Sequence, residues 1–177
     1  MNSTTRYLID SNVFVQAKNF HYRFEFCQAF WQWLSDAHHA GLVYSIDKVH
    51  QELNDGNDDD PVRLWANDLP ESFFIPDTGD SQVMRAYGQV MQWNVTNNHY
   101  RQQTKDEFAR FDKADAFLVA TAFAHGFAIV THEMGNPDSK KRVMIPDAAK
   151  QFGAQSLVIY DLLSGYARDN FVLSRLD

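Results

Sequence analysis

Residues 113–133 read KADAFLVATAFAHGFAIVTHE, and this stretch decides the fold. Asp115 stands in the first turn of an apolar helix that buries Ala114, Phe117, Leu118, Thr121 and Ala122. Gly126 ends that helix, because a residue without Cβ enters the left-handed conformation at little cost. A short apolar run, 127–131, follows as a strand, and His132 and Glu133 come directly after it. One carboxylate opens the helix and another closes the strand. In a parallel α/β layer both ends lie on the same rim of the sheet.

Working outward, residues 6–10 form a second acid-ended strand, Tyr7-Leu8-Ile9-Asp10, with helical structure starting near Asn12. Phe26, Phe30, Trp33, Leu34 and Ala37 recur at helical spacing over residues 22–40, and Gly41 stops the helix. Residues 42–45 are the second strand. Ile46, Val49 and Leu53 then mark one face of a short helix that carries Glu52. Pro61 opens another helix, with Leu64, Trp65 and Leu69 on its apolar side. Residues 73–75 are a third strand, stopped by Pro76, and Asp80 or Ser81 caps a helix built on Val83, Met84, Tyr87, Val90 and Met91. Residues 96–110 are polar and read either as a solvent-facing helix or as a flap. Beyond residue 142, residues 143–145 and 157–160 are two more short apolar runs, with a small helix at 146–152 between them. Strands alternating with helices predict a three-layer α/β/α domain over residues 1–177, with a mainly parallel sheet of four to six strands.

Composition narrows the function classes. A 45% apolar and 14% aromatic chain can bury a sizeable core. No apolar run reaches the roughly 20 residues of a membrane span. The opening MNSTTRYLID lacks the basic and apolar pattern of a secretory signal. Cys27, the single cysteine, permits no intrachain disulfide and reads as a small hydrophobe in an apolar helix, so the expected location is cytoplasmic. A net charge of −7 argues against a broad phosphate-binding surface, though not against an enzyme whose acids hold cations. Much of the acidity is local, in the NDGNDDD loop at 54–60, which lacks the closing Glu of a calcium loop.

A carboxylate directly after a buried strand is costly unless paired, solvated or metal-bound. Asp10 is one, and it could also cap the helix near Asn12. Asp115 has a structural alternative too: Asp112 as helix cap with Asp115 three residues on has capping-box-like spacing. Glu52 could lean over the sheet edge or face water, and Glu133 alone is an ordinary loop acid. Jointly these acids gather at the carboxyl rim, where open α/β folds bind ligands. Oxygen donors without thiolates or clustered histidines suit Mg2+ or Mn2+ better than Zn2+. His38 and His39 read as surface partners of a helix C-terminus, and His125 as a dipole partner before Gly126.

The order YLIDSN, VHQEL, KADAFLVATA and IVTHE resembles the PIN-domain ribonucleases. The resemblance implies that Asp10, Glu52, Asp115 and Glu133 are catalytic acids and metal ligands for Mg2+ or Mn2+, with Asn12 and Thr131 as supporting donors. The family's fourth acid is commonly Asp, and here Glu133 changes the reach. The tail VMIPDAAKQFGAQSLVIYDLL resembles a PIN-like branch of prokaryotic toxins. That implies an endoribonuclease acting on RNA, with an antitoxin protein or a second copy of the chain as candidate partners. Lys140, Lys141 and Arg142 follow Glu133 and are candidate phosphate contacts, with Arg101, Lys105, Arg110 and Lys113 as a looser basic set. A haloacid-dehalogenase-type phosphatase needs a second Asp where Asn12 stands, and the lysine of a receiver domain is not evident after Thr131. A catalytically weak RNA-binding or partner-binding module is the alternative from another class.

Overall fold

The computed structural model describes residues 5–174. Residues 1–4 and 175–177, the ends of the expected 1–177 domain and the start of the stretch read for a secretory signal, lie outside the described residues. The chain runs β1 (Arg6–Ile9), α1 (Ser11–Gln16), α2 (Gln28–His39), β2 (Val43–Ile46), α3 (Asp47–Asn54), α4 (Pro61–Asp68), β3 (Phe74–Ile75), α5 (Ser81–Thr96), α6 (Gln102–Phe108), α7 (Asp115–His125), β4 (Phe127–Val130), α8 (Ile145–Gln151), β5 (Ser156–Leu157) and α9 (Ile159–Tyr166). Among the described residues no helix is long and apolar enough to cross a membrane.

The five strands pair in parallel in the order β3-β2-β1-β4-β5, as the α/β reading expects. From β1 the chain steps outward through β2 to β3, then returns across the sheet to β4 and on to β5. Right-handed crossovers in opposite directions put their helices on opposite faces. The packing agrees: α1 touches α3 and α3 touches α4, whereas α7 packs on α5 and α8. With both faces covered, the central strands are apolar throughout, and all of β4 is buried.

Several boundaries follow from forces that apolar spacing does not record. The helix expected over 22–40 starts only at Gln28. A π-helical turn, Ala17–His21, extends α1, and Tyr22 and Phe24 then reach the core from outside any helix. Tyr22 stacks on Phe30 at 4.3 Å and Phe24 on Trp31 at 4.0 Å, while the Trp31 Nε1–H donates to the Tyr22 carbonyl. Phe26 is left exposed, and Cys27 sits just ahead of α2 rather than within it. Ile46 ends β2, opposite Ile75, instead of starting α3. Leu64 is exposed, although Pro61 opens α4 as expected, with Asp60 capping it from the acidic loop. His38 is buried, with Nδ1 on the Val43 carbonyl and Nε2 on the Ser72 hydroxyl, so it is not a surface residue. Residues 143–145 form no strand, because the Ile145 N–H is committed to the Glu133 carboxylate and Ile145 begins α8. Of the last apolar run only Leu157 pairs, together with Ser156 ahead of it, and Ile159 already belongs to α9. Within the polar stretch 96–110, Thr96 ends α5 and Gln102–Phe108 form α6, anchored by buried Thr104 and Phe108.

Gly126 takes φ 70° at the end of α7, where its N–H donates to the Ala122 carbonyl. A methyl group added there would meet nothing within 4 Å, so its cost is conformational only. Gly126→Ala should lower stability by about 1–2 kcal/mol, the left-handed penalty of an L-residue. A chemical-denaturation midpoint measured for both proteins checks this, and no shift would mean that the backbone relaxes out of the left-handed region.

Candidate functional site

The strand order reverses between β1 and β4, so the crevice of this sheet opens beyond their carboxyl ends. Asp10 follows β1 and Thr131 follows β4. The Asp10 N–H donates to the Val130 carbonyl at 2.9 Å, which carries the strand register past Ile9 and Val130. The Asp10 side chain is 2% exposed and does not cap α1. Instead its Oδ2 accepts from the Thr131 hydroxyl at 2.8 Å. The same Thr131 oxygen accepts from Asn12 Nδ2 at 3.1 Å and from the Glu133 N–H at 3.1 Å. A hydroxyl offers one proton and two lone pairs, and all three are used. Asn12 also accepts from the His132 N–H at 3.1 Å. Asn12 and Thr131 thus clasp the two strand ends and fix the Asp10 carboxylate.

Glu52 comes from α3. Its Oε2 accepts from the Ser11 hydroxyl at 2.6 Å, and its Oε1 accepts from the Ala114 N–H at 3.0 Å. Ala114 precedes α7, and its N–H is one of the free donors at that helix's start. The capping-box expectation at Asp112 is therefore corrected: Asp112 pairs with Arg110 at 2.6 Å, and Glu52 from a distant helix takes the capping role. Asp115 opens α7 and lines a cleft of about 520 Å³ together with Glu52, Lys113, Lys141 and Arg142. Lys140 faces a neighbouring hollow beside Arg101 and Asn136, and its carbonyl accepts from the Thr104 hydroxyl.

Glu133 is nearly enclosed, its side chain 6% exposed. Arg142 bonds its Oε1, and the Ile145 N–H bonds its Oε2 at 2.8 Å. Asp10, Glu52, Asp115 and Glu133 thus lie close enough to act on one another's charge, with Glu52 and Asp115 lining the cleft and Asp10 and Glu133 buried behind it. Among the described residues no group of three or more Asp, Glu, His or Cys side chains is placed to hold a metal ion. The reason is visible in the bonding, since Glu52 and Glu133 each spend both oxygens on protein donors. Ser11, directly after Asp10, joins Glu52 to the strand end. A small hydroxyl placed directly after a strand-ending acid was the available signal.

Burial pushes the Asp10 carboxyl from its ordinary value of 3.8 up to about 8. The Asp115 charge adds to this, the Thr131 hydrogen bond opposes it, and Glu133 and Glu52 add further. Asp115 rises to about 6, through burial and then the charges of Glu133 and Glu52, while Arg142 and Lys113 pull the other way. Two acids pushed apart by burial and like charge are a usual feature of functional sites.

A family model described as "Domain of unknown function (DUF4411)" matches residues 7–168, a span that contains every residue of this crevice. No curated protein matches the chain.

Between the ordinary carboxyl value of 3.8 and about 8, folded Asp10 holds a proton that the unfolded chain has released. Stability therefore falls as pH rises through that window, and the loss is complete above it. Asp10→Asn keeps an acceptor for Thr131 but cannot ionise. In chelator, the variant should melt several degrees above wild type at about pH 8, and the two should converge near pH 4. Melting curves at both pH values check this; equal melting temperatures at the higher one would show that the Asp10 charge is not buried at a cost.

Proposed function

This chain belongs to the DUF4411 family, and we propose that its acidic crevice hydrolyses RNA phosphodiester bonds with Mg2+ or Mn2+, in the manner of the PIN-domain ribonucleases it resembles. The observation that carries the reading is the buried Asp10 carboxylate. It sits at the sheet's switch point among three other acids, and among the described residues hydroxyl groups rather than a basic side chain bond it. Such a group is stabilised when a cation arrives.

The donor set fits a hard divalent cation. It offers carboxylate and hydroxyl oxygens, with no thiolate or imidazole bonded among them. Asp10 and Asp115 would hold the ion directly, while Glu52 and Glu133 would act through water or on leaving their present partners. When bound, the ion would lower the pKa of a water molecule and stabilise charge developing on the phosphoryl oxygens. The chain's own contribution is positioning. Thr131 and Asn12 fix the Asp10 carboxylate, the work usual for partners of metal ligands. Glu52 holds the start of α7 and so sets where Asp115 stands. Lys113, Lys141 and Arg142 line the cleft and are the cations that would meet phosphate oxygens, with Lys140 further out.

The toxin role, with an antitoxin protein covering the acidic rim, rests on the resemblance of the tail that includes Ile145-Pro146-Asp147. This reading takes the chain as cytoplasmic, in keeping with the free thiol of Cys27. The Arg142–Glu133 pair favours one second reading, a binding module of weak catalysis in which arginine permanently fills the place of a cation.

Asp115→Asn preserves shape and removes one charge. It should weaken Mn2+ binding by about 100-fold or more and abolish RNA cleavage, with the melting curve preserved. Calorimetric Mn2+ titration of both proteins, alongside an RNA digest, decides the matter. Unchanged Mn2+ affinity in the variant removes the metal site, and RNA binding without cleavage leaves the module. Expression in a bacterial host should slow growth, and Asp10→Ala should relieve it; equal growth with both forms removes the toxin role.

A further inference from the structure

Beside the acids, on the β5 side of the rim, aromatic rings stand in a row outside the core. His132 follows directly on Thr131. Tyr160 lies in the first turn of α9, just beyond β5, and His21 closes the π-helical turn that extends α1. The Tyr160 ring lies 5.7 Å from His132 at 54° and 5.9 Å from His21 at 81°, and Phe20 continues the row 6.3 Å from His21 at 51°. Tyr160 is 41% exposed and Phe20 66%. The buried pairs Tyr22–Phe30 and Phe24–Trp31 lie nearly parallel, at 14° and 12°, and spend their ring faces on each other. The outer rings meet at 51–81° and none of these pairs stacks face to face, and Tyr160 and Phe20 keep ring surface exposed.

We propose that this row is a base-stacking subsite for a single-stranded nucleic acid whose phosphodiester lies over the acids; the inference rests on the ribonuclease reading. Three observations select this occupant. First, the row is continuous with the crevice, because the His132 N–H is itself bonded to Asn12 within the clasp that holds Asp10. Second, the rim divides its chemistry. Lys113, Lys141 and Arg142 line the cleft, whereas the row supplies planar apolar faces. The basic set suits phosphates, and the row suits bases, each of which has a π-face regardless of sequence. Third, bases in a duplex are already stacked on their neighbours, so only unpaired bases can use such faces. The subsite therefore selects unpaired strands without reading a particular base.

The test uses a short single-stranded RNA carrying 2-aminopurine, whose fluorescence is quenched on stacking. Asp115→Asn serves as background, so that binding is read without cleavage. Binding should quench the probe. Adding Tyr160→Leu should remove the quench and weaken binding by about tenfold, the usual order for one stacked base, while Tyr160→Phe should restore both. In the cleaving protein, Tyr160→Leu should raise KM on single strands more than it lowers kcat. Binding within twofold for Tyr160→Leu, or duplex RNA bound as tightly as single strands, overturns the subsite. The two levels separate cleanly. Normal cleavage by Tyr160→Leu with unchanged KM removes the subsite and keeps the nuclease, whereas quenched but uncleaved strands on wild type remove the nuclease and keep the subsite. A wild type that binds only a protein partner through this row overturns the proposal.

Discussion

The hydrogen bond from Thr131 to Asp10 is the constraint on which the crevice depends. It joins residues 121 positions apart, across the ends of two neighbouring parallel strands. Without it the Asp10 carboxyl would be buried with only a long contact to Ser11, a situation costing several kcal/mol. With it, the carboxyl is oriented yet still pushed up to about 8 by burial and neighbouring acids. The sheet thus holds a group that is more stable as an acid than as a carboxylate at neutral pH. Its position follows from strand order, because the crevice lies where β1 and β4 part to opposite directions of winding.

Around that point the structure reuses its acids as connectors. Glu52 links α3 to α7 by taking the Ala114 N–H, and it links the same helix to β1's end through Ser11. Glu133 ties the end of β4 to the start of α8 through the Ile145 N–H, with Arg142 on its other oxygen. Each tie satisfies a donor that a helix start leaves free. Each also keeps that acid from closing on Asp10 and Asp115. On the metal reading proposed above, a cation would compete with two helix starts for the outer acids, whereas among the described residues Asp10 and Asp115 hold no helix start.

Much of this was legible in the sequence where apolar runs end in acids. The runs ending at Asp10 and before Thr131 and the acid at 115 landed on one rim, with the glycine stop at 126 on the opposite one, because strand and helix periodicity fix which residues sit at element ends. What was illegible depends on partners distant in sequence. Helical spacing through Phe26 looked like a core face, yet Tyr22 and Phe24 stack on α2 from a loop. The acid at 112 had the spacing of a cap, but a neighbouring arginine claimed it and a glutamate 62 residues away did the capping. The apolar run at 143–145 lost its strand to a single backbone donor spent on Glu133. Histidine at 38 looked like a surface residue until two acceptor and donor groups from β2 and Ser72 closed around it.

The parallel pairing of β1 with β4 also sets a schedule. β1 is made well before its partner on one side, Phe127–Val130, which lies more than a hundred residues later. Such non-local pairing is slow, because chain closure must be completed before the contact stabilises it. At the roughly 5–20 residues per second of synthesis, several seconds separate the emergence of Ile9 from that of Val130. Throughout that interval Asp10 has no Thr131 to orient it, and the apolar Leu8-Ile9 pair has only β2 beside it. The crevice is therefore assembled only after β4 has emerged, and a chain cut short before β4 carries Asp10, Glu52 and Asp115 without the Thr131 and Glu133 that complete it.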